Sequence, residues 1–265
     1  MKNFTYIFLF FILVIISTSF IFSKKTFTPP GTVKISDKLF FDETEITNFN
    51  WGEYLYWKKI HFGDSSREYK ASLPDTLVWL DSSAYNKPYV EYYFSHPAYR
   101  NYPVVGISYE QAVDFCKWRT DRVLELHAHQ HKKDYIPNKF QYRLPTKAEW
   151  ETVAKAGYDE KTFKIFESKK YKGMARANLT RPYVKNTAPQ SDNADVTAPV
   201  YSYWANSYGL WQIIGNVSEM ISEKGIAKGG SWHDKENEVS VEKDYSYNKP
   251  KSWLGFRCVC EILEE

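Results

Sequence analysis

The sequence predicts an α+β domain that is loop-rich with few regular elements, and three features predict it. Two capping boxes, Ser108 with Gln111 and Thr146 with Glu149, each open a run with apolar residues at helical spacing. Glycine and proline break most other stretches before any long element can form. Aromatic residues make up 18% of the chain, a share that suits irregular structure, where large rings fill the gaps that regular elements leave.

In chain order, Lys2 precedes an apolar run over residues 4–16 that can be extended to Phe22. Ser17 and Ser19 supply the small residues of a cleavage site, and Lys24 and Lys25 follow. Residues 1–23 therefore read as a signal peptide or an N-terminal membrane anchor, and either one places the domain in an exported, oxidising setting. No cysteine follows the run, so it offers no lipid attachment point. Residues 24–32, with Pro29-Pro30-Gly31, form a linker into a single domain over residues 33–265. Residues 33–41 alternate loosely. Thr47 is placed to cap a helix reaching about Ile60, with Trp51, Tyr54 and Leu55 inward. Residues 61–103 lack periodicity and read as loops and short strands, one of them over residues 77–80. The helix after Ser108 turns Ala112, Phe115, Cys116, Val123 and Leu126 inward. The helix after Thr146 turns Trp150, Val153 and Ala154 inward and ends at Gly157. Residues 158–208 are polar and interrupted by Pro182, Pro189 and Pro199.

Residues 209–232, GLWQIIGNVSEM…KGGSW, concentrate the chemistry. Five glycines bend this stretch, Trp211, Ile213, Ile214, Val217 and Met220 call for burial, and Gln212, Asn216 and Glu219 carry oxygens into the same surroundings. Buried oxygens of this kind need hydrogen bonds or a hard cation. The net charge of +3 is scattered, which excludes a nucleic-acid partner. Three cysteines leave room for one bridge and one thiol. His127, His129 and His131 read as a solvated helix end, since only His127 and His131 share a face and no third ligand is near.

Ordered motifs then carry a family likeness. Residues 143–151 read RLPTKAEWE, and TEITN at residues 44–48 resembles a TEVTN opening. Ala177-Asn178, Thr197-Ala198-Pro199-Val200, Gly209-Leu210-Trp211, Gly215-Asn216-Val217, Gly229-Gly230-Ser231-Trp232 and Gly255-Phe256-Arg257-Cys258 follow in order. Over about residues 31–260 the chain resembles the formylglycine-generating-enzyme (sulfatase-modifying factor) domain family. The resemblance implies a formylglycine-generating-enzyme-like, C-type-lectin-related fold. A narrower likeness to the gliding-motility-associated lipoproteins of Bacteroidota rests on PDTLVW at residues 74–79, YFSHPAY at residues 93–99 and YPVVG at residues 102–106. This chain lacks their lipid-bearing cysteine, which points to a paralogue.

The family's oxidase activity uses two cysteines after the GGS motif as copper thiolates. Counted from Ser231, those places hold Asp234 and Val239, neither of which replaces a thiolate, so the expectation is no copper and no catalytic residue. The resemblance also implies two calcium sites. One comprises Asn178 and Asp192 side chains with the Leu179 and Ala194 carbonyls. The other comprises Gln212 and Glu219 side chains with the Gly215 and Val217 carbonyls. Gln212 is one methylene longer than the family's residue, and hydrogen bonding of Gln212 and Glu219 to loop amides is the alternative. Cys116 and Cys258 match a family disulfide, the alternative being two buried thiols, and Cys260 could compete for the bridge on the same strand face. Ala154 removes the family's second disulfide.

The expected function is a non-catalytic exported structural or interaction protein of the cell envelope, in the periplasm or anchored facing it. Its expected partners are other envelope proteins, within a gliding-motility or secretion machinery; membrane contact is expected only through residues 4–22. The alternatives are an enzyme with an altered active site using His233 and Asp234, and a glycan- or peptide-binding module.

Overall fold

The computed structural model describes residues 27–80, 86–129, 137, 139–156, 177–180 and 196–264. The predicted leader, Asp192, Ala194, His131 and Gly157 lie outside these residues. Two four-stranded sheets and the helices packed on them form the core. The first sheet is antiparallel throughout, in the order β1 (Thr32–Lys34), β2 (Leu39–Asp42), β8 (Val259–Glu264), β3 (Lys139–Arg143). The C-terminal strand thus lies between the opening hairpin and β3. Residues 33–41, which alternate loosely in sequence, are the two arms of that hairpin.

Helix α1 (Asn48–Phe62) starts where Thr47 accepts the Asn50 amide at 3.1 Å and donates its own amide to Asn50 Oδ1 at 3.2 Å. It runs past Ile60 to Phe62 and stops at Gly63, whose φ of +88° suits glycine. Trp51 stacks on Phe115 of α4 (Tyr109–His129) with ring centroids 5.4 Å apart. On the other side of α4, Cys116 and Val123 share a core with Phe40, Tyr142, Cys260 and Ile262 of the first sheet. Leu126, expected inward, is exposed, because the last turns of α4 extend beyond the buried contact that ends near Val123.

Two short helices, α2 (Arg67–Lys70) and α3 (Lys87–Tyr92), lead to α4. The strand expected over residues 77–80 is instead a 3₁₀ turn, Thr76–Trp79. The Asp75 carboxylate accepts the Leu77 amide at 2.9 Å and so favours the turn over an extended segment. Helix α5 (Lys147–Lys155) begins at the Thr146–Glu149 capping box and buries Trp150, Val153 and Ala154 against Leu210, Ile213, Ile214 and Val259. The second sheet runs β6 (Tyr245–Ser246), β5 (Ile226–Lys228), β4 (Ser218–Met220), β7 (Leu254–Gly255), with β4 and β7 parallel. Among the described residues no helix is long and apolar enough to cross a membrane.

Candidate functional site

The loop between Gly209 and β4 is shaped by backbone that few side chains adopt. Gln212, Gly215 and Asn216 all have positive φ. A Cβ at Gly215 would lie 2.6 Å from the Asn178 carbonyl oxygen, so the loop reaches this approach only with glycine. Asn216, next in sequence, is fully buried and satisfied. Its Oδ1 accepts from Asn178 Nδ2 at 3.1 Å and the Ala198 amide at 2.7 Å, while its Nδ2 donates to Glu45 Oε1 at 2.9 Å. One carboxamide therefore ties together the segments that carry three separate family motifs.

Glu219 is the carboxylate at the end of this loop, and its oxygens are both engaged. Arg257 donates from Nε at 2.8 Å and from Nη2 at 2.6 Å, and Trp150 Nε1 donates to Oε2 at 2.7 Å. The guanidinium also donates to the carbonyls of Asp42 at 3.0 Å and Trp211 at 2.8 Å. Glu219 and Arg257 are both buried. Burial alone would lower the Arg257 pKa, but the Glu219 charge beside it holds the guanidinium above its ordinary value.

Glu45, bonded to Asn216, is a further buried acid. Among the described residues its Oε2 has no hydrogen-bond partner, and burial pushes its carboxyl well above the usual carboxylate range, against the opposing pull of Arg257. In the sequence Glu45 and Arg257 stand only as members of the TEITN and GFRC motifs, with no partner assigned to either. A lone arginine between Phe256 and Cys258 in an apolar run was the available signal, since a buried guanidinium requires a carboxylate.

The donor sets expected for calcium fare differently. Among the described residues Gln212 Oε1 is buried without a hydrogen-bond partner, which suits an oxygen ligand. Glu219, however, already faces a cation, and a metal there would have to displace Arg257 from both oxygens. That set does not fit calcium in this arrangement. Of the first set, Asn178 and Leu179 are buried beside the same loop. Among the described residues no group of three or more His, Cys, Asp or Glu side chains is placed to hold a metal ion.

The GGSW turn follows β5. Gly229 has a φ of +94°, and its carbonyl accepts the Gly215 amide at 3.0 Å, so the turn rests on the loop below it. At the two places where the resemblance requires thiolates the structure shows other chemistry. Asp234 Oδ2 accepts from the Ser231 amide at 2.9 Å and from Ser231 Oγ at 2.7 Å. Burial would raise Asp234, yet His233 and Ser231 together hold its carboxyl below the ordinary value. Val239 is buried, packing with the α5 core. Ser231 is fully buried and donates its hydroxyl to Asp234, so His233 is not its base. The His233 ring instead stacks on Trp253 at 6.2 Å, and the adjacent Asp234 raises its pKa.

All three cysteines lie elsewhere, buried between α4 and the first sheet. Cys116 and Cys258, separated by 142 residues, bring their Sγ atoms to 3.4 Å as two thiols. Cys260 belongs to the same core cluster, and burial pushes its thiol up to about 12.

Comparison with known proteins accords with this geometry. The family model described as sulfatase-modifying factor enzyme 1-like domain matches residues 13–262. The chain is similar to the formylglycine-generating enzyme of Mus musculus, 26% identical over 270 residues, covering 86% of this chain and 67% of that protein. It is also similar to the inactive C-alpha-formylglycine-generating enzyme 2 of Bos taurus, 24% identical over 173 residues, covering 59% of this chain and 50% of that one. Among solved structures, CarF superposes with a TM-score of 0.50 at 22% identity, covering 84% of this chain and 86% of CarF, a likeness of fold. Proteins named as active and as inactive thus both stand among its relatives. Motif order, fold and family model agree: the chain belongs to the sulfatase-modifying factor enzyme 1-like domain family.

Proposed function

We propose that this protein is a non-catalytic, exported member of its family, serving as a structural or interaction component of a bacterial cell envelope. One observation carries the reading. All three cysteines are buried between α4 and the first sheet, while the GGSW turn presents a carboxylate locked onto Ser231 and a core valine. A cuprous ion needs soft thiolate ligands, and a locked carboxylate with a valine supplies none.

The finer assignment, to a gliding-motility or secretion machinery, rests on the narrower sequence likeness. Its three segments supply Trp79, Tyr93 and Val105, which pack in one cluster with Tyr99, Tyr102 and Trp232 of the GGSW turn. The subgroup-specific residues thus support the flank of the turn that the family uses for catalysis. Calcium is part of the proposal at Asn178 and Leu179, with Asp192 and Ala194 completing the ligands. Pairing of Cys116 with Cys258 belongs to it as well, as the state reached in an oxidising compartment.

Titration of the exported protein with copper(I), followed by an assay of thiol-substrate oxidation, should show neither stoichiometric binding nor turnover. Tight copper binding with oxidation would overturn the non-catalytic reading. Pull-down from envelope fractions should recover a stable large complex, whereas retention on a glycan or peptide array without such a complex would favour a binding module.

A further inference from the structure

Helix α1 carries an apolar face that the fold leaves uncovered. Phe49, Tyr56 and Ile60 form one stripe along it, and Tyr56 and Ile60 are 68% and 62% exposed. With Trp57 and Trp118 they line a cleft of about 620 Å³. Cationic groups border this face. The Arg100 guanidinium lies 4.6 Å from the Phe49 ring and that of Arg122 4.8 Å from Trp57, while Lys59 and His61 sit in the last turn. Aromatic and aliphatic side chains with a basic border are the composition of a helix lying in a membrane interface, where rings occupy the headgroup level and cations reach water or lipid phosphate.

The position of the face in the chain says what covers it. Pro30 and Gly31 line a second cleft, of about 420 Å³, together with Phe49, Glu53 and Trp118, which also line the first. Arg119 Nη2 fixes this entry by donating to the Pro30 carbonyl at 2.9 Å. The N-terminal segment therefore joins the domain at the edge of the α1 face. The stretch from Phe22, where the apolar run ends, to Pro30 spans at most roughly 30 Å when extended. A bilayer holding residues 4–22 would lie within that reach of α1.

We propose that the α1 face, centred on Phe49, Tyr56 and Ile60, docks on the lipid surface in which residues 4–22 are anchored, so that the domain is held to the membrane at two places. The proposal rests on the reading of those residues as a retained anchor. Glu53 falls within the stripe, four residues after Phe49 and three before Tyr56, and it lines both clefts.

The test uses the full chain, synthesised cell-free into vesicles of phosphatidylcholine and phosphatidylglycerol. Ile60→Cys and, as a control, Leu77→Cys are each labelled with an environment-sensitive fluorophore. Both positions are 62% exposed, and the three native cysteines are buried from the label. Doxyl-labelled lipids should quench the Ile60 label at least about threefold more strongly than the Leu77 label, with a blue-shifted emission, as for a side chain at the interface. Vesicle-bound protein with equal, water-like emission at both positions would overturn the docking and leave the anchor standing. A chain that stays soluble through flotation would remove the anchor reading and the docking with it. A blue shift in detergent that grows with protein concentration, without quenching by lipid, would assign the face to a second copy and overturn the proposal.

Discussion

At the scale of single residues, Arg257 and Glu219 decide the most. Arg257→Met removes the counter-charge of a buried carboxylate, and urea unfolding should show a loss of about 3–5 kcal/mol, as when one partner of a buried ion pair is deleted. Glu45 makes the opposite demand, because its folded-state pKa is raised by burial. The unfolded chain releases this proton near the ordinary carboxylate value while the folded chain keeps it. The stability contribution is therefore full at low pH and is lost as pH rises toward the folded value. Unfolding of Glu45→Gln measured from pH 4 to pH 8 should show the variant gaining on the parent as pH rises; a constant difference would exclude this role. The oxygens of Gln212, Asn216 and Glu219 were legible in the sequence as groups needing partners. Their partners were not, because Arg257 stands 38 residues beyond Glu219 and Glu45 stands 171 before Asn216. For Glu219 the cation implied by the resemblance has its place taken by a guanidinium of the chain itself.

At the scale of elements, what could be read was what is locally encoded. The caps at Thr47, Ser108 and Thr146 all form, since a cap needs only residues three positions apart. Thr146→Ala should cost about 0.5–2 kcal/mol in thermal or urea unfolding, and Thr146→Ser should recover most of it, the hydroxyl being what accepts the Glu149 amide. Strands β6 and β7, each two residues long, leave no periodicity to detect, and pairing with β5 and β4 defines them. The exposed Leu126 misleads for a related reason, whereas the turn at residues 76–79 is set by the Asp75 carboxylate. Apolar spacing reports a face without reporting where its neighbour ends. Gly215→Ala should be more damaging than its size suggests. Its methyl would meet the Asn178 carbonyl in a backbone conformation that disfavours any Cβ, and a loss above roughly 1 kcal/mol is expected in the same unfolding assay.

At the scale of the molecule, the chain is closed by contacts that span nearly its whole length. β8 lies between β2 and β3, and the Cys116 and Cys258 sulfurs meet beside it. Oxidation of that pair would close a loop worth about 4–5 kcal/mol in the chain-entropy account. Protein from an oxidising compartment should gain the mass of two hydrogens on reduction and lose thermal stability with it. An unchanged mass would show two persistent thiols. The same intact-mass measurement reads whether residues 1–23 are retained. The family fold was legible from motif order, but the sheet order joining both ends of the chain leaves no trace in any local stretch. Further meaning lies in how residues 232–253 are held. The Trp232 amide is bonded to the Asn216 carbonyl, the Trp232 indole donates to the Ser252 carbonyl at 3.3 Å, and β7 begins just beyond on β4. Between these two pins the segment is also held along its length, because Val239 packs in the α5 core, Asp244 pairs with the buried Lys228 and Tyr245 pairs with β5. A thiol-bearing sequence could replace this segment only if it kept a buried apolar side chain at position 239, a carboxylate facing Lys228 and the strand beside β5, so the loop and the core beneath it change together or not at all.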